Sequence, residues 1–238
     1  MSNYPFFKPL RQPQEVDDLY HVFDFPNALN ILYWDDIFEL CKNAGNADVL
    51  EFGVGRGRSL ISMLAVTFFR KLKYGEAQPV VKAFDSFIGF PEPSDEDESF
   101  RKPQKGEWAS SPNKSYEYSV DFLKRILECA GAINLDCLQF YPGYFEETVE
   151  LVKAENKPIK ILHLDGDLYQ SVKLPLFELH EQVVPSGVIV IDDCTFQREI
   201  SEEPFPGARK ATSEFLNTFS TMYKLHEGVR GNPILIKL

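Results

Sequence analysis

Two apolar, β-branched runs in this sequence each end abruptly in carboxylates, and this feature constrains the fold more than any other. LHLDGDLYQS ends its run at Asp165 and Asp167, and VIVIDDC ends its run at Asp192 and Asp193. Short apolar runs of this kind are typical of buried strands in a parallel sheet. Because like charges at the ends of neighbouring strands repel, we expect either a cation among the acids or a protonated carboxyl group.

Predicted strands and helices alternate from about residue 48 to residue 219. This order is typical of an α/β fold in which a mostly parallel sheet carries helices on both faces. The last two predicted strands, MYKLHEG and NPILIKL, have no helix between them. We therefore expect a closing hairpin whose final strand runs antiparallel to the rest of the sheet.

The length of 238 residues is typical of one α/β domain, so we expect a single domain over residues 1–238. A proline-rich N-terminal arm is predicted over 1–30, and a polar insertion that serves as a lid over 91–114. The acidic stretch 91–99 inside the insertion is expected to be a solvated loop.

Apolar residues at helical spacing predict the helices. One predicted helix covers 27–45 and ends at Gly45 as its C-cap. Another covers 171–187 and is expected to be interrupted at Pro175, because proline cannot donate a backbone hydrogen bond.

The charge and composition exclude several classes of function. The formal net charge is −11, from 25 basic and 36 acidic residues, which disfavours binding to nucleic acid or to anionic membranes. No run approaches the roughly 20 apolar residues of a membrane span, and the first residues lack the apolar core of a signal peptide. The four cysteines show neither metal-ligand spacing nor a disulfide framework. We therefore expect a cytoplasmic protein.

The segment VLEFGVGRGRSL is a predicted strand, a glycine-rich turn and a helix start, with glycines at Gly53, Gly55 and Gly57. Such glycines let a ligand approach the backbone and leave the N-terminus of the helix open to it. The pattern alone is a weak signal, because a tight turn between strand and helix needs the same residues.

The next predicted strand ends in Asp85, followed by Ser86. An acid at this position can accept two hydrogen bonds from a ribose diol, although it can also cap the following turn. The glycine spacing is not that of a dinucleotide fold, and Asp85 follows the glycines by more than the usual ~20 residues. A nucleoside without a pyrophosphate, such as S-adenosylmethionine, fits better than a nicotinamide dinucleotide.

Six segments occur in the order EFGVGRGRSL, AFDSFIGFPEP, GYFEETV, LDGDLYQSV, PSGVIVIDD and PGARKATSEFL. Together they resemble the macrocin O-methyltransferase family, the S-adenosylmethionine-dependent sugar methyltransferases of macrolide biosynthesis, over about residues 48–218. The resemblance implies a seven-stranded Rossmann-like class I methyltransferase sheet, S-adenosylmethionine, Mg²⁺ and a hydroxyl acceptor. It implies cofactor contacts at Glu51, Gly53, Gly55 and Asp85, and metal ligands at Asp165, Asp192 and Asp193.

To these cofactor contacts we add Gly57, Ser86, Trp108 and Asp165. Trp108 lies in the insertion and either folds over the adenosine as a lid or simply packs inward. We expect acceptor selection in the arm and the insertion, where the resemblance is poor.

Neighbouring strands lie about 4.8 Å apart, so acids at the ends of adjacent strands converge. A hard dication would relieve their repulsion, and ligands that offer only oxygen suit Mg²⁺ better than Zn²⁺. Methyl transfer requires that the acceptor hydroxyl lose its proton, and Asp165 is the predicted base.

Other residues near these motifs have two interpretations. Asp167 is predicted to cap the following helix, and His163 to be a hydrogen-bonded core histidine in preference to a base. Arg209 and Lys210 either pair with the acids or lie on a solvated face.

The leading hypothesis is an S-adenosylmethionine- and Mg²⁺-dependent O-methyltransferase that acts on a hydroxyl of a sugar or glycosylated natural product. A catechol or phenol acceptor is the alternative, since vicinal hydroxyls would chelate the same metal. A non-catalytic nucleoside-binding protein of the same fold is a third reading, which the clustered acids disfavour. The arm and the insertion could pack against a second subunit, so a homo-oligomer is a possible assembly.

Overall fold

The computed structural model describes residues 25–111, 114, 116–129 and 135–238. The helices in this part of the chain are α1 (Phe25–Leu40), α2 (Arg58–Tyr74), α3 (Val120–Cys129), α4 (Phe145–Glu155), α5 (Tyr169–Leu179) and α6 (Pro206–Phe219). The strands are β1 (Asp48–Phe52), β2 (Val81–Asp85), β3 (Leu138–Pro142), β4 (Ile159–Leu164), β5 (Val183–Ile191), β6 (Tyr223–Glu227) and β7 (Pro233–Lys237). Among the described helices, none combines the length and the apolar character needed to cross a lipid bilayer.

The strands form one seven-stranded sheet in the order β3-β2-β1-β4-β5-β7-β6. Strands β1 to β5 pair in parallel, and β7 runs antiparallel to both β5 and β6. The predicted fold class and closing hairpin are thereby confirmed. The direction of chain progression reverses between β1 and β4, and ligands of open α/β sheets bind at such a switch point.

Helices cover both faces of the sheet, and each face has its own apolar core. On one face, Trp34 of α1, Leu60 of α2 and Leu123 of α3 pack against the sheet. On the other face, α4, α5 and α6 supply the core, with Val172 and Phe215 among its buried residues. Side chains of a strand alternate between the two cores, so the position of a residue in its strand decides which face it joins.

Two predicted helices extend too far. The helix predicted over 27–45 ends at Leu40 and is followed by a separate 3₁₀ turn. The helix predicted over 171–187 ends at Leu179, and its last residues instead begin β5 at Val183. Pro175 is buried inside α5 and does not interrupt it, so the predicted break at this proline is wrong. The β-branched pair at the start of β5 continues a central strand, and tertiary pairing overrides the helical pattern.

The first part of the insertion is anchored to the body of the protein, so the prediction of a solvated loop over 91–99 is wrong at Asp97. This carboxylate is buried and accepts hydrogen bonds from the backbone N–H of Tyr169 at 2.7 Å and of Ser94 at 2.9 Å. The acid therefore caps the N-terminus of α5 from a distant segment of the chain. Of the predicted arm, residues 1–24 lie outside the described residues.

Replacing Asp97 with alanine should lower the free energy of unfolding by about 1–3 kcal/mol, because the backbone N–H groups of Tyr169 and Ser94 lose their acceptor. Asp95→Ala is the matched control, since Asp95 is an exposed acid of the same 3₁₀ turn and should change stability by less than about 0.5 kcal/mol. Urea denaturation measures both. Equal stabilities of the two variants would contradict an anchoring role for Asp97.

Candidate active site

A cavity of about 920 Å³ opens at the carboxyl ends of β1, β4 and β5, beside the switch point of the sheet. Its lining includes most of the residues that the sequence singles out: Gly53, Gly55, Asp85, Ser86, Trp108, Asp165, Asp167, Asp192 and Asp193. Glu51 and Gly57 are not among the lining residues.

The glycine turn that follows β1 is built as the sequence predicts. Gly53, Gly55 and Gly57 have φ values of +94°, +52° and +85°, in the left-handed region that favours glycine. A Cβ atom at Gly53 would overlap the backbone carbonyl of Asp165, so the ends of β1 and β4 meet in direct contact. Gly57 lies at the N-cap of α2 without a side-chain cap among the described residues, which leaves that helix end open toward a ligand.

Asp85 braces the glycine turn. Its Oδ2 accepts hydrogen bonds from the N–H groups of Val54 at 2.9 Å and Gly55 at 2.8 Å, and its Oδ1 accepts one from Phe87 at 2.7 Å. Burial raises the pKa of this carboxyl group, and the three N–H donors partly offset that rise. The geometry agrees with the alternative that Asp85 caps a turn. Its predicted contact with a ribose stays a prediction.

Ser86 and Trp108 lie on segments that are joined by backbone hydrogen bonds. The Ser86 hydroxyl donates to the carbonyl of Gly89 at 2.8 Å, and Phe90 N–H donates to the carbonyl of Glu107 at 2.9 Å. The Trp108 side chain is 53% exposed at the cavity rim, so it does not pack into the interior. Its role as a lid over adenosine remains a prediction.

Strand register brings four polar side chains to the same side of the sheet. Glu51 of β1 pairs in register with His163 of β4, and Asp165 follows His163 by two positions. Asp192 continues the alternating β5 positions, Val188 and Val190, whose side chains face α1 and α2. Asp193 continues the positions that face the opposite side of the sheet. Side chains of His163, Asp165 and Asp192 offer ligand atoms that all lie within 4.8 Å of one another. The convergence expected for strand-end acids is therefore present for Asp165 and Asp192.

Asp193 and Asp167 form a second pair beside this cluster. Oδ2 of Asp193 accepts a hydrogen bond from the backbone N–H of Asp167 at 2.9 Å. The prediction that Asp167 caps the following helix is wrong, because the N-cap of α5 is Leu168 and has no side-chain cap hydrogen bond. A left-handed φ of +60° at Asp167 turns its side chain back toward Asp193 instead.

The electrostatic conflict expected from the sequence is visible in the site. Burial, reinforced by the charge of Asp193, raises the pKa values of Asp165 and Asp167 well above their usual range. Burial and the charge of Asp192 raise the pKa of Asp193 to about 6. These shifts arise because desolvation and neighbouring carboxylates both penalise the ionised form. The site therefore favours any arrangement that brings positive charge to the acids.

His163 and Glu51 lie below the cavity floor and are fully buried. Nδ1 of His163 is 3.4 Å from Oε1 of Glu51, which is within ion-pair range. The ring nitrogens of His163 and both carboxylate oxygens of Glu51 have no hydrogen-bond partner among the described residues. His163 is thus buried as predicted, with the Glu51 carboxylate beside its Nδ1 atom. Burial raises the pKa of Glu51, and His163 partly offsets the rise.

Arg230 is a site residue that sequence reasoning missed. Its guanidinium donates to Oδ1 of Asp192 at 3.1 Å, donates to the side-chain carbonyl of Asn30, and lies 3.9 Å from the ring centroid of Tyr33. The turn between β6 and β7 carries Arg230, and it reaches the site because β7 inserts beside β5. No local signal marks this residue, since its position depends on the order of the strands.

Arg209 and Lys210 do not supply the positive charge near the acids. In the described part of the chain, Arg209 lies 3.8 Å from Glu203, and Lys210 lies 3.2 Å from Glu96 in the insertion. Lys210 therefore joins the insertion to α6, and the idea that these two residues pair with the strand-end acids is wrong.

Comparison with known proteins identifies one family of O-methyltransferases. A profile of the family described as Macrocin-O-methyltransferase (TylF) matches residues 35–218. The chain is 30% identical over 146 residues to 8-demethyl-8-(2,3-dimethoxy-alpha-L-rhamnosyl)-tetracenomycin-C 4'-O-methyltransferase of Streptomyces olivaceus, which covers 61% of this chain and 52% of that protein. The matched region spans about half the length of the curated relatives.

Solved structures share the fold at low sequence identity. The calicheamicin methyltransferase CalS11 superposes with a TM-score of 0.72 at 20% identity, covering 98% of this chain and 88% of that one. An O-methyltransferase from Bacillus cereus in complex with SAH superposes with a TM-score of 0.54 at 14% identity, covering 94% and 92%. At these identities the likeness shows the fold alone.

Replacing Gly53 with alanine should destabilise the protein strongly, because the new Cβ meets the backbone of Asp165 and the residue keeps a φ of +94°. Gly55→Ala is the matched control, since Gly55 also has a positive φ but has open space around its Cβ position. Gly53→Ala should lose at least about 2 kcal/mol more unfolding free energy than Gly55→Ala. Chemical denaturation gives the difference, and similar losses would contradict the close contact between β1 and β4.

The raised pKa of Asp193 predicts a pH dependence of stability in protein treated with a chelator. The folded chain binds this proton more tightly than the unfolded chain, so the free energy of unfolding falls as pH rises from about 4 to about 6. Asp193→Asn should flatten this fall, and Asp95→Asn, at an exposed position, should not. Urea denaturation across this pH range measures the slopes. An unchanged slope in Asp193→Asn would contradict a raised pKa of the Asp193 carboxyl group.

Proposed function

The chain belongs to the macrocin-O-methyltransferase (TylF) family, and on that premise we propose that it is an S-adenosylmethionine- and Mg²⁺-dependent O-methyltransferase. Its acceptor is a hydroxyl group of a sugar or of a glycosylated natural product. The observation that carries this proposal is the contact between the glycine turn and the strand-end acids, which brings a nucleoside-type cradle against a cluster of carboxylates.

The glycine turn fits the donor. Gly53 and Gly57 let the turn pack directly against Asp165 and Leu123, and open space remains beside Gly55. The N-terminus of α2 follows this turn, where the helix dipole favours a polar ligand. Gly53, Gly55, Gly57, Asp85 and Ser86 would hold the nucleoside, and Trp108 at the rim would cover it and exclude water. The fold is shared with a methyltransferase structure that contains SAH.

The acids fit a hard divalent cation. Asp165, Asp192 and Asp193 all line the cavity. Burial and neighbouring carboxylates raise the pKa values of Asp165 and Asp193. Arg230 forms its ion pair with Asp192 and leaves the charges of the other two acids to a cation. Carboxylate oxygens are the ligands that Mg²⁺ prefers. When bound, S-adenosylmethionine supplies the methyl group, and Mg²⁺ supplies the positive charge that acidifies an acceptor hydroxyl.

Asp165 is the base in this proposal. It is the acid that meets both the glycine turn, through its backbone, and the acid cluster, through its side chain. Its carboxylate would take the proton of the acceptor's hydroxyl group, while the cavity walls align the hydroxyl oxygen for in-line displacement.

The rim of the cavity supports a glycosylated acceptor. Leu32 is 62% exposed and Val229 is 80% exposed, and both line the cavity together with Trp108. Exposed apolar side chains beside an acidic cluster suit a molecule with a polar sugar and an apolar body. The relative from Streptomyces olivaceus acts, by its name, on a rhamnosyl-tetracenomycin.

The remaining parts of the proposal concern the setting of the enzyme. We infer a single domain over residues 1–238, with the insertion 91–114 as a lid, that acts in the cytoplasm on a small molecule. The charge of −11 supports the absence of nucleic-acid and membrane partners. A homo-oligomer formed through the arm and the insertion remains a proposal that light scattering tests.

Asp165→Asn should reduce kcat by about 10²–10⁴-fold, because the acceptor proton loses its base. Binding of S-adenosylmethionine, measured by calorimetry, should change only a few-fold. Asp136→Asn is the control, since Asp136 is an exposed acid that is not among the residues lining the cavity. The assay uses labelled donor with Mg²⁺ and a panel of glycosylated natural products, free sugars and catechols.

Full activity of Asp165→Asn would remove Asp165 from the role of base. Turnover of catechols alone would redirect the proposal to the phenolic acceptor. A wild-type chain that neither binds S-adenosylmethionine nor methylates any acceptor would contradict the proposed function as a whole.

A further inference from the structure

Glu51 and His163 form a buried polar pair that the proposed function does not explain. Both side chains are fully buried, and four of their polar atoms have no hydrogen-bond partner among the described residues. Buried polar groups in folded proteins nearly always have hydrogen-bond partners, and the exceptions mark a site for an ion, a water molecule or a function. The pair therefore points to a ligand that satisfies it from the cavity side.

His163 faces the acid cluster. It precedes Asp165 by two residues on β4, so both side chains emerge on the same face of the sheet. Its ligand atom lies within 4.8 Å of those of Asp165 and Asp192, but no hydrogen bond joins His163 to either acid. Two atoms that bind one ion at about 2.0–2.2 Å are separated by roughly 3–4.4 Å, so one cation can satisfy all three groups after a small adjustment.

Glu51 and Trp34 hold the imidazole in place. Oε1 of Glu51 lies 3.4 Å from Nδ1, and the indole ring of Trp34 packs edge-to-face on the imidazole at 4.7 Å. A carboxylate beside one ring nitrogen leaves the other nitrogen, Nε2, available to a ligand. Carboxylate–histidine–metal arrangements of this kind fix the orientation of a histidine that binds a metal.

We propose that His163, oriented by Glu51, is a direct protein ligand of the cation bound by Asp165 and Asp192. This inference rests on the proposed metal site and extends it from an all-oxygen set to a mixed nitrogen and oxygen set. Imidazole suits borderline transition metals better than Mg²⁺. The mixed ligand set should therefore hold a transition ion such as Co²⁺ as well as Mg²⁺, with Mn²⁺ as the paramagnetic probe of the same site, and Glu51 is a positioning residue.

The test uses Mn²⁺ bound to the full chain and pulsed electron paramagnetic resonance, which detects nitrogen coordinated to the metal. The wild-type chain should show ¹⁴N modulation from one imidazole, and His163→Gln should lose it and bind Mn²⁺ at least about 10-fold more weakly. His226→Gln is the matched control, because His226 is exposed on β6 and should leave both readouts unchanged. Glu51→Gln should keep the modulation but weaken Mn²⁺ binding.

A second measurement avoids any substitution. Labelling all histidines with ¹⁵N in the unmutated chain should convert the ¹⁴N signal to a ¹⁵N signal, so a misfolded His163→Gln variant does not affect the result.

Bound Mn²⁺ without nitrogen modulation in the wild-type chain would overturn the role of His163 and leave the proposed methyltransferase intact. Modulation that persists in folded His163→Gln would also overturn it. No binding of Mn²⁺ or Mg²⁺ would remove the metal site itself, while donor binding would still test the methyltransferase separately.

Discussion

Repulsion among carboxylates at the carboxyl ends of β4 and β5 is the constraint on which the site depends. The parallel register of the central strands is fixed by two apolar cores, so the acids that follow these strands have no freedom to separate. Gly53 brings β1 into backbone contact with Asp165 and closes the space around it. The folding energy of the sheet thus imposes a concentration of negative charge that an isolated turn could not maintain.

The chain relieves this repulsion only in part. Arg230 pairs with Asp192, the backbone N–H of Asp167 donates to Asp193, and protonation is favoured at Asp165. Each of these responses serves one acid, and the positive charge of Arg230 lies on the Asp192 side. What the arrangement lacks is a charge shared by several carboxylates, and this is the property that a divalent cation adds.

Much of this architecture was predictable because it follows from local periodicity. Alternation of strands and helices predicts the sheet, and the two-residue spacing of His163 and Asp165 predicts their common face. Contacts between distant segments were not predictable: Asp97 caps a helix 72 residues away in the sequence, and Arg230 reaches Asp192 across 38 residues. Such contacts depend on which strands become neighbours and on where an insertion packs. The start of β5 was missed for the same reason, since Val183 is a strand residue only through its pairing with β4.

The structural roles of these missed residues suggest how one site combines fixed chemistry with variable recognition. Asp97 ties the insertion to the first turn of α5, directly after the acidic turn that contains Asp167. Arg230 ties the β6–β7 turn to Asp192 and, through Tyr33, to α1. Segments that are far apart in the sequence are therefore attached either to Asp192 or to the helix start that follows Asp167. Because each attachment involves a backbone group or a single ion pair, the exposed apolar residues beyond it can change without disturbing the carboxylate cluster. A rim attached in this way can vary in sequence, while the sheet holds the acids in one geometry.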